Sequence, residues 1–150
     1  MKKQDSVNAS DEIPRFGRPE PGVQYRYRRA AYIVILDSDR RVALVRTQAG
    51  LFLPGGGSLS NESPQETVRR ELLEECGRPV RIHQKLGEAM QFFQTERANF
   101  EMFAVFYSGA FSGPVEGPAE HELVWAETPS GLDDLFHECQ RWAVQQALAV

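Results

Sequence analysis

The run Ala30-Ala31-Tyr32-Ile33-Val34-Ile35-Leu36 contains no charged residue and is rich in β-branched and aromatic side chains, the composition of a strand buried on both faces. Such a strand needs other layers to cover it. Asp37-Ser38-Asp39 reads as a turn into a second short strand, Val42 to Arg46, and the spacing predicts a hairpin with a polar tip. Val80 to Phe93 and Asn99 to Phe111 read as longer strands, and a Gly- and Pro-rich loop from Ser112 to Ala119 leads to a short strand at Leu123 to Trp125.

Two helices interrupt the strands. The first starts at Ser63-Pro64-Gln65-Glu66, where Ser63 can cap, Pro64 suits the first helical position and Glu66 completes a capping box. It ends at Gly77, since that residue suits a left-handed cap and Pro79 blocks continuation. The second is expected after Thr128-Pro129, because Leu132, Leu135, Phe136, Cys139, Ala143, Ala147 and Val150 recur at helical spacing. Residues 1–24 carry Pro14, Pro19, Pro21, Gly17 and Gly22 among polar residues and read as an N-terminal arm; residues 25–150 form one α/β layered domain with a mixed sheet.

At 150 residues a single core buries roughly 68 to 70% of the unfolded chain's surface, so no metal or disulfide is needed to hold the fold. Any metal therefore serves chemistry. Seventeen Lys plus Arg against twenty-one Asp plus Glu, without a basic cluster, argue against nucleic acid as a partner. No apolar segment approaches the ~20 residues of a membrane span, and Met1 to Ser6 leads into no apolar run of a secretory signal. A cytoplasmic location is expected, with Cys76 and Cys139 as separate small core residues.

The chemistry concentrates between Leu53 and Gly77. Leu53-Pro54-Gly55-Gly56-Gly57 leads through a polar loop to the first helix, and five glutamates fall between Glu62 and Glu75. At about 100° per residue, Glu74 lies about 60° to one side of Glu71 and Glu75 about 40° to the other. The three carboxylates therefore share one edge, beside an apolar stripe of Val68, Leu72 and Cys76. Like charges so spaced repel, and three hard oxygen donors without His or Cys favour Mg²⁺ or Mn²⁺, which commonly joins carboxylates to substrate phosphates. Phosphoryl transfer to water is the implied reaction.

Gly56, five residues, Glu62, seven residues and Arg70-Glu71-Leu72-Leu73-Glu74-Glu75-Cys76-Gly77 together resemble the Nudix box. Arg78 stands where an aliphatic residue is usual, and Leu59 and Asn61 replace the Glu and Gly often found in the loop; none of the three is a ligand position. The resemblance implies an α/β/α sandwich and a hydrolase of nucleoside diphosphate derivatives, small-molecule nucleotides with a divalent metal as cofactor. By position, Glu71, Glu74 and Glu75 match the metal-binding glutamates, Gly56 matches a carbonyl ligand, and Arg70 matches the arginine that orients them. A general base is still required. Glu74 is one candidate; family members often supply another glutamate before a tryptophan, which points to Glu116, Glu120 or Glu122 ahead of Trp125, with Glu120 favoured.

Substrate contacts are less marked. Arg26, Arg28, Arg29 and Arg46 lie on the first two strands, and Arg46 is the preferred phosphate contact. One of Phe92 and Phe93 must face outward, and Phe93 is chosen to stack on a base. Phe93, Gln94, Thr95 and Glu96 occupy the positions where some subfamilies carry a tyrosine or proline, so no substrate marker is present. The alternative function is a non-catalytic nucleotide-binding sensor, disfavoured by the complete set of box glutamates. The resemblance also allows a homodimer.

Overall fold

The computed structural model describes residues 12–150, so the first eleven residues of the arm, Met1 to Ser6 included, lie outside the described residues. Eight strands and two α-helices follow one another as β1 (Arg15–Phe16), β2 (Arg26–Ile35), β3 (Val42–Thr47), β4 (Gly50–Phe52), β5 (Gly55–Gly57), α1 (Pro64–Cys76), β6 (Val80–Gln94), β7 (Asn99–Phe111), β8 (Glu122–Ala126) and α2 (Glu138–Leu148). A five-stranded mixed sheet has the order β1-β6-β7-β2-β5, and a three-stranded antiparallel sheet has the order β4-β3-β8. β2 runs parallel to β7 along its whole length, from Arg26 opposite Phe100 to Ile35 opposite Gly109.

Strand β2 divides the core in two. Ala31, Ile33 and Ile35 pack with Val68, Leu72 and Cys76 of α1, while Ala30, Tyr32 and Val34 pack with Cys139, Ala143 and Val144 of α2. Alternate side chains of one strand thus serve opposite layers, which is why its sequence shows no polar alternation. Leu72 is fully buried. Truncating it to alanine would cost about 2–5 kcal/mol, so α1 is docked firmly enough to carry a site.

Helix α1 forms where its caps predict. The Glu66 N–H donates to Ser63 Oγ at 3.1 Å, the Ser63 N–H donates to Glu66 Oε1 at 2.8 Å, and Gly77 closes the helix at φ 66°. A loop then seals the C-terminal carbonyls of the helix: the N–H groups of Glu116, Glu120 and His121 donate to the carbonyls of Gly77, Glu74 and Glu75. The free thiols of Cys76 and Cys139 are buried in separate cores.

Two sequence expectations are corrected. β2 and β3 do not form a paired hairpin, because the only ladder contact between them is the Leu36–Val42 bridge and the strands then diverge into different sheets. The final helix does not begin after Pro129. Ser130–Asp134 is a short 3-10 turn, Leu135 is extended, and the Phe136 N–H donates to the Leu51 carbonyl before α2 starts at Glu138. Part of the arm is also structured: Arg15–Phe16 pairs in parallel with Met90–Gln91 at the edge of β6. Among the described residues no helix is long and apolar enough to cross a membrane.

Candidate active site

Arg70 is the hub of the loop and helix. Its Nε donates to Glu62 Oε2 at 2.6 Å and its Nη2 to Glu62 Oε1 at 3.0 Å, while Nη2 also reaches the Gly57 carbonyl at 3.0 Å. Nη1 points the other way, toward Glu71 Oε2 at 3.4 Å and Glu74 Oε1 at 3.2 Å. The planar guanidinium therefore ties the glycine strand, the loop and the helix together. Glu62 also accepts from the Leu59 N–H and the Thr67 hydroxyl, and the Arg70 contact above all lowers its pKa to about 2.

Glu71 and Glu75 face β5. The Gly55 N–H donates to Glu75 Oε1 at 2.9 Å, and a methyl group placed on Gly56 would lie 2.6 Å from Glu71 Oε2. Only glycine allows that approach. Burial pushes the Glu75 carboxyl up to about 8 against the opposing Gly55 contact, and the charges of Glu71, Glu120 and Glu74 add to the rise. Burial also raises Glu71, opposed by Arg70 and reinforced by Glu74 and Glu120. Two carboxylates so placed resist ionisation unless a cation joins them.

Glu74 is more exposed and leans on Arg70, so the three glutamates share one edge without converging on one point. Among the described residues no group of three His, Cys, Asp or Glu side chains is gathered as a ready-made cage. The donor chemistry nevertheless fits a hard divalent ion: carboxylate oxygens only, two of them disfavoured as anions, against a glycine strand that leaves room beside Glu71. Of the three base candidates, Glu120 lies closest in the backbone network to this edge, since its N–H donates to the Glu74 carbonyl at 3.0 Å. The Glu122 carboxylate instead receives Arg46, at 3.2 Å.

A cavity of about 360 Å³ opens beside these carboxylates, within the size range of small-molecule sites. Glu71, Glu75 and the three glycines of β5 form one wall; Phe52, Phe93, Phe136 and His137 form the apolar end. Phe93 lines the cavity, held in a stack on Phe100 with centroids 5.2 Å apart, whereas Phe92 turns to Tyr25. Arg46 does not line it. It borders an adjoining groove with Glu120 and His121 instead. Arg28, passed over in favour of Arg46, lines the cavity instead, lies over the Phe100 ring at 5.7 Å and has no ion-pair partner among the described residues. His137 carries no signal in its local sequence, since nothing there announces that the break before α2 turns it inward.

The sequence from residues 26–145 matches the NUDIX domain family. The chain is 29% identical over 132 residues to Nudix hydrolase 4 of Arabidopsis thaliana, a match covering 84% of this chain and 60% of that protein. It thus spans less than two thirds of that relative's length. Among solved structures, the MutT NUDIX hydrolase from Burkholderia pseudomallei superposes with a TM-score of 0.61 at 26% identity, covering 81% of this chain and 98% of that one. The MutT protein from Methanosarcina mazei Go1 superposes with a TM-score of 0.65 at 22% identity, over 83% and 95% of the two chains. Fold and site define a domain of the Nudix class. The chain belongs to the NUDIX family.

Proposed function

We propose that the chain is a metal-dependent pyrophosphohydrolase that uses water to cleave the diphosphate linkage of a nucleoside diphosphate derivative. The observation that carries this reading is that Glu71 and Glu75, two carboxylates with raised pKa values, line the same cavity as Arg28, which has no ion-pair partner among the described residues, and an aromatic end. Carboxylates, a cation for phosphate and a flat apolar surface are the three requirements of such a substrate.

Gly56, Glu71, Glu74 and Glu75 would hold Mg²⁺ or Mn²⁺. When bound, the ion supplies neutralisation of diphosphate charge and acidity to a water. Arg70 keeps Glu71 and Glu74 aimed by anchoring itself on Glu62 and Gly57. Glu120 is the favoured acceptor of the water's proton, with Glu74 the second candidate. Arg28 contacts a phosphate oxygen and Phe93 stacks on the base. The free thiols of Cys76 and Cys139 support a reducing, cytoplasmic setting.

The test is a panel of nucleoside diphosphate derivatives incubated with Mg²⁺ or Mn²⁺, with release of mononucleotide or phosphate followed beside a Glu74→Gln variant. Turnover by the native chain that the variant loses supports the proposal. Tight binding with no product under any condition would replace it with the nucleotide sensor.

A further inference from the structure

His137 sits at the apolar end of the cavity, only 4% exposed. Its ring meets those of Phe93, Phe136 and Phe52 at centroid distances of 4.6, 4.8 and 5.5 Å, each in an edge-on arrangement. A buried polar side chain is expected to have a hydrogen-bond partner. Among the described residues neither ring nitrogen of His137 has one, and the side chain lines the cavity.

Several polar atoms nearby are otherwise engaged, while Gln140 Nε2 is buried without a partner among the described residues. Gln91 Oε1 accepts the Cys139 N–H at 2.9 Å, Gln140 Oε1 accepts the Leu53 N–H at 2.7 Å, and the Tyr32 hydroxyl donates to Met102 Sδ at 3.6 Å. Three aromatic rings and one imidazole without a partner among the described residues make this end of the cavity suited to a planar ring with a polar edge. A sugar or polyol would place hydroxyls against phenyl faces and gain a single hydrogen bond, whereas a heteroaromatic base gains both stacking and that bond.

We infer that His137 is a specificity-determining residue that hydrogen-bonds the edge of a heteroaromatic base packed on the aromatic end of the cavity. This rests on the reading above that the cavity receives the nucleoside part of the substrate. Burial, reinforced by the charge of Arg28, lowers the His137 pKa to about 4, so the imidazole is neutral near pH 7 and offers one donor and one acceptor. Phosphate recognition therefore falls to Arg28, and His137 reads the ring.

The experiment measures equilibrium binding of AMP, GMP, CMP, UMP and ribose 5-phosphate to the full chain in EDTA, without turnover, for the native protein and for His137→Phe and His137→Asn. At least one nucleotide is expected to bind tenfold or more tightly than ribose 5-phosphate. His137→Phe should abolish most of that preference without changing ribose 5-phosphate binding, and Asn should restore part of it for that base. If the Phe variant does not fold, the ¹⁵N shifts of the native His137 ring are the deciding readout, and they must move with the preferred nucleotide and not with ribose 5-phosphate. An unchanged preference in a folded His137→Phe, or unmoved ring shifts, overturns the inference. So does equal binding of ribose 5-phosphate and all four nucleotides, even if the hydrolysis panel succeeds. A base preference that depends on His137, with no hydrolysis of any panel member, would uphold the inference and sink the enzymatic reading alone.

Discussion

Arg70 grips Glu62 through two parallel contacts, Nε to Oε2 at 2.6 Å and Nη2 to Oε1 at 3.0 Å, and so fixes the guanidinium that steers Glu71 and Glu74. The pair joins residues 62 and 70 across the turn into α1, and a lysine cannot make both contacts and reach Gly57 as well. Arg70→Lys should therefore lower kcat by roughly tenfold or more while the fold survives. Steady-state kinetics beside a thermal melt decide this: full activity in a folded Lys variant would show that a point charge at position 70 suffices.

Glu75 titrates at about 8 in the folded chain, against about 4.3 for an unperturbed glutamate. Between those values the folded state keeps a proton that the unfolded chain has lost. The stabilisation is therefore fully present below pH ~4 and drains away as the pH rises through about 8. Glu75→Gln keeps a carbonyl to accept the Gly55 N–H and removes the titration. In metal-free buffer the native chain should lose on the order of 2 to 4 kcal/mol more than the variant between pH 5 and pH 8, read from urea melts in EDTA. Hydrolysis by the variant should fall by orders of magnitude. Parallel stability profiles for the two proteins would remove Glu75 from the list of strained carboxylates.

Local signals placed α1 to the residue, because Ser63, Glu66 and Gly77 act through bonds made within one turn of themselves. The shared edge of Glu71, Glu74 and Glu75 follows from helical period alone, and strand alternation requires one of Phe92 and Phe93 to face outward without saying which. Sheet membership is a different matter. Whether β2 pairs with β3 or with β7 depends on partners about 70 residues away, and the alternation of its own side chains is the same in either case. The helical spacing of Leu132, Leu135 and Cys139 reports a buried face, yet the Phe136 N–H is captured by Leu51 and the helix restarts two residues later. That capture aims His137 into the cavity, and Arg28 becomes a wall residue only because β5 lies alongside β2; both depend on tertiary packing that no local pattern records.

Gly55 and Gly56 should respond differently to alanine. At Gly55, φ is +138° and a Cβ would lie 2.2 Å from the Ala31 carbonyl oxygen, a clash with backbone that cannot move aside. At Gly56 the obstacle is the end of the Glu71 side chain, 2.6 Å away, which can swing. Gly55→Ala should cost about 3 kcal/mol or more and yield little folded protein, whereas Gly56→Ala should fold and lose at least tenfold in activity. Equal melting temperatures for the two variants would contradict this division.

Glu120 is set beside the helix by its own N–H on the Glu74 carbonyl, and its charge is felt at both Glu71 and Glu75. Glu120→Gln preserves the backbone contact and removes only the proton acceptor. A fall in kcat of roughly 10²-fold or more with little change in KM is expected, with Glu116→Gln and Glu122→Gln near native. Loss confined to Glu116→Gln or Glu122→Gln would move the base along the loop, and near-native rates for all three would leave Glu74 as the acceptor.

Arg28 and Arg46 separate two ways of reading the first strands. Arg46 neutralises Glu122 in a pair in which both side chains are more than half exposed, an arrangement worth little in stability. Arg28 has no carboxylate of its own among the described residues; the Phe100 ring beneath it and Gly57 beside it, where a Cβ would lie 2.9 Å from its Nε, hold the guanidinium at the cavity wall. Arg28→Ala should raise KM by roughly tenfold with a smaller change in kcat, since a phosphate contact present in both ground and transition states contributes uniform binding. Arg46→Ala should stay within about twofold of native in both constants. The reverse ranking, a large KM effect at Arg46 and none at Arg28, would place the phosphate chain in the groove beside His121 and outside the cavity.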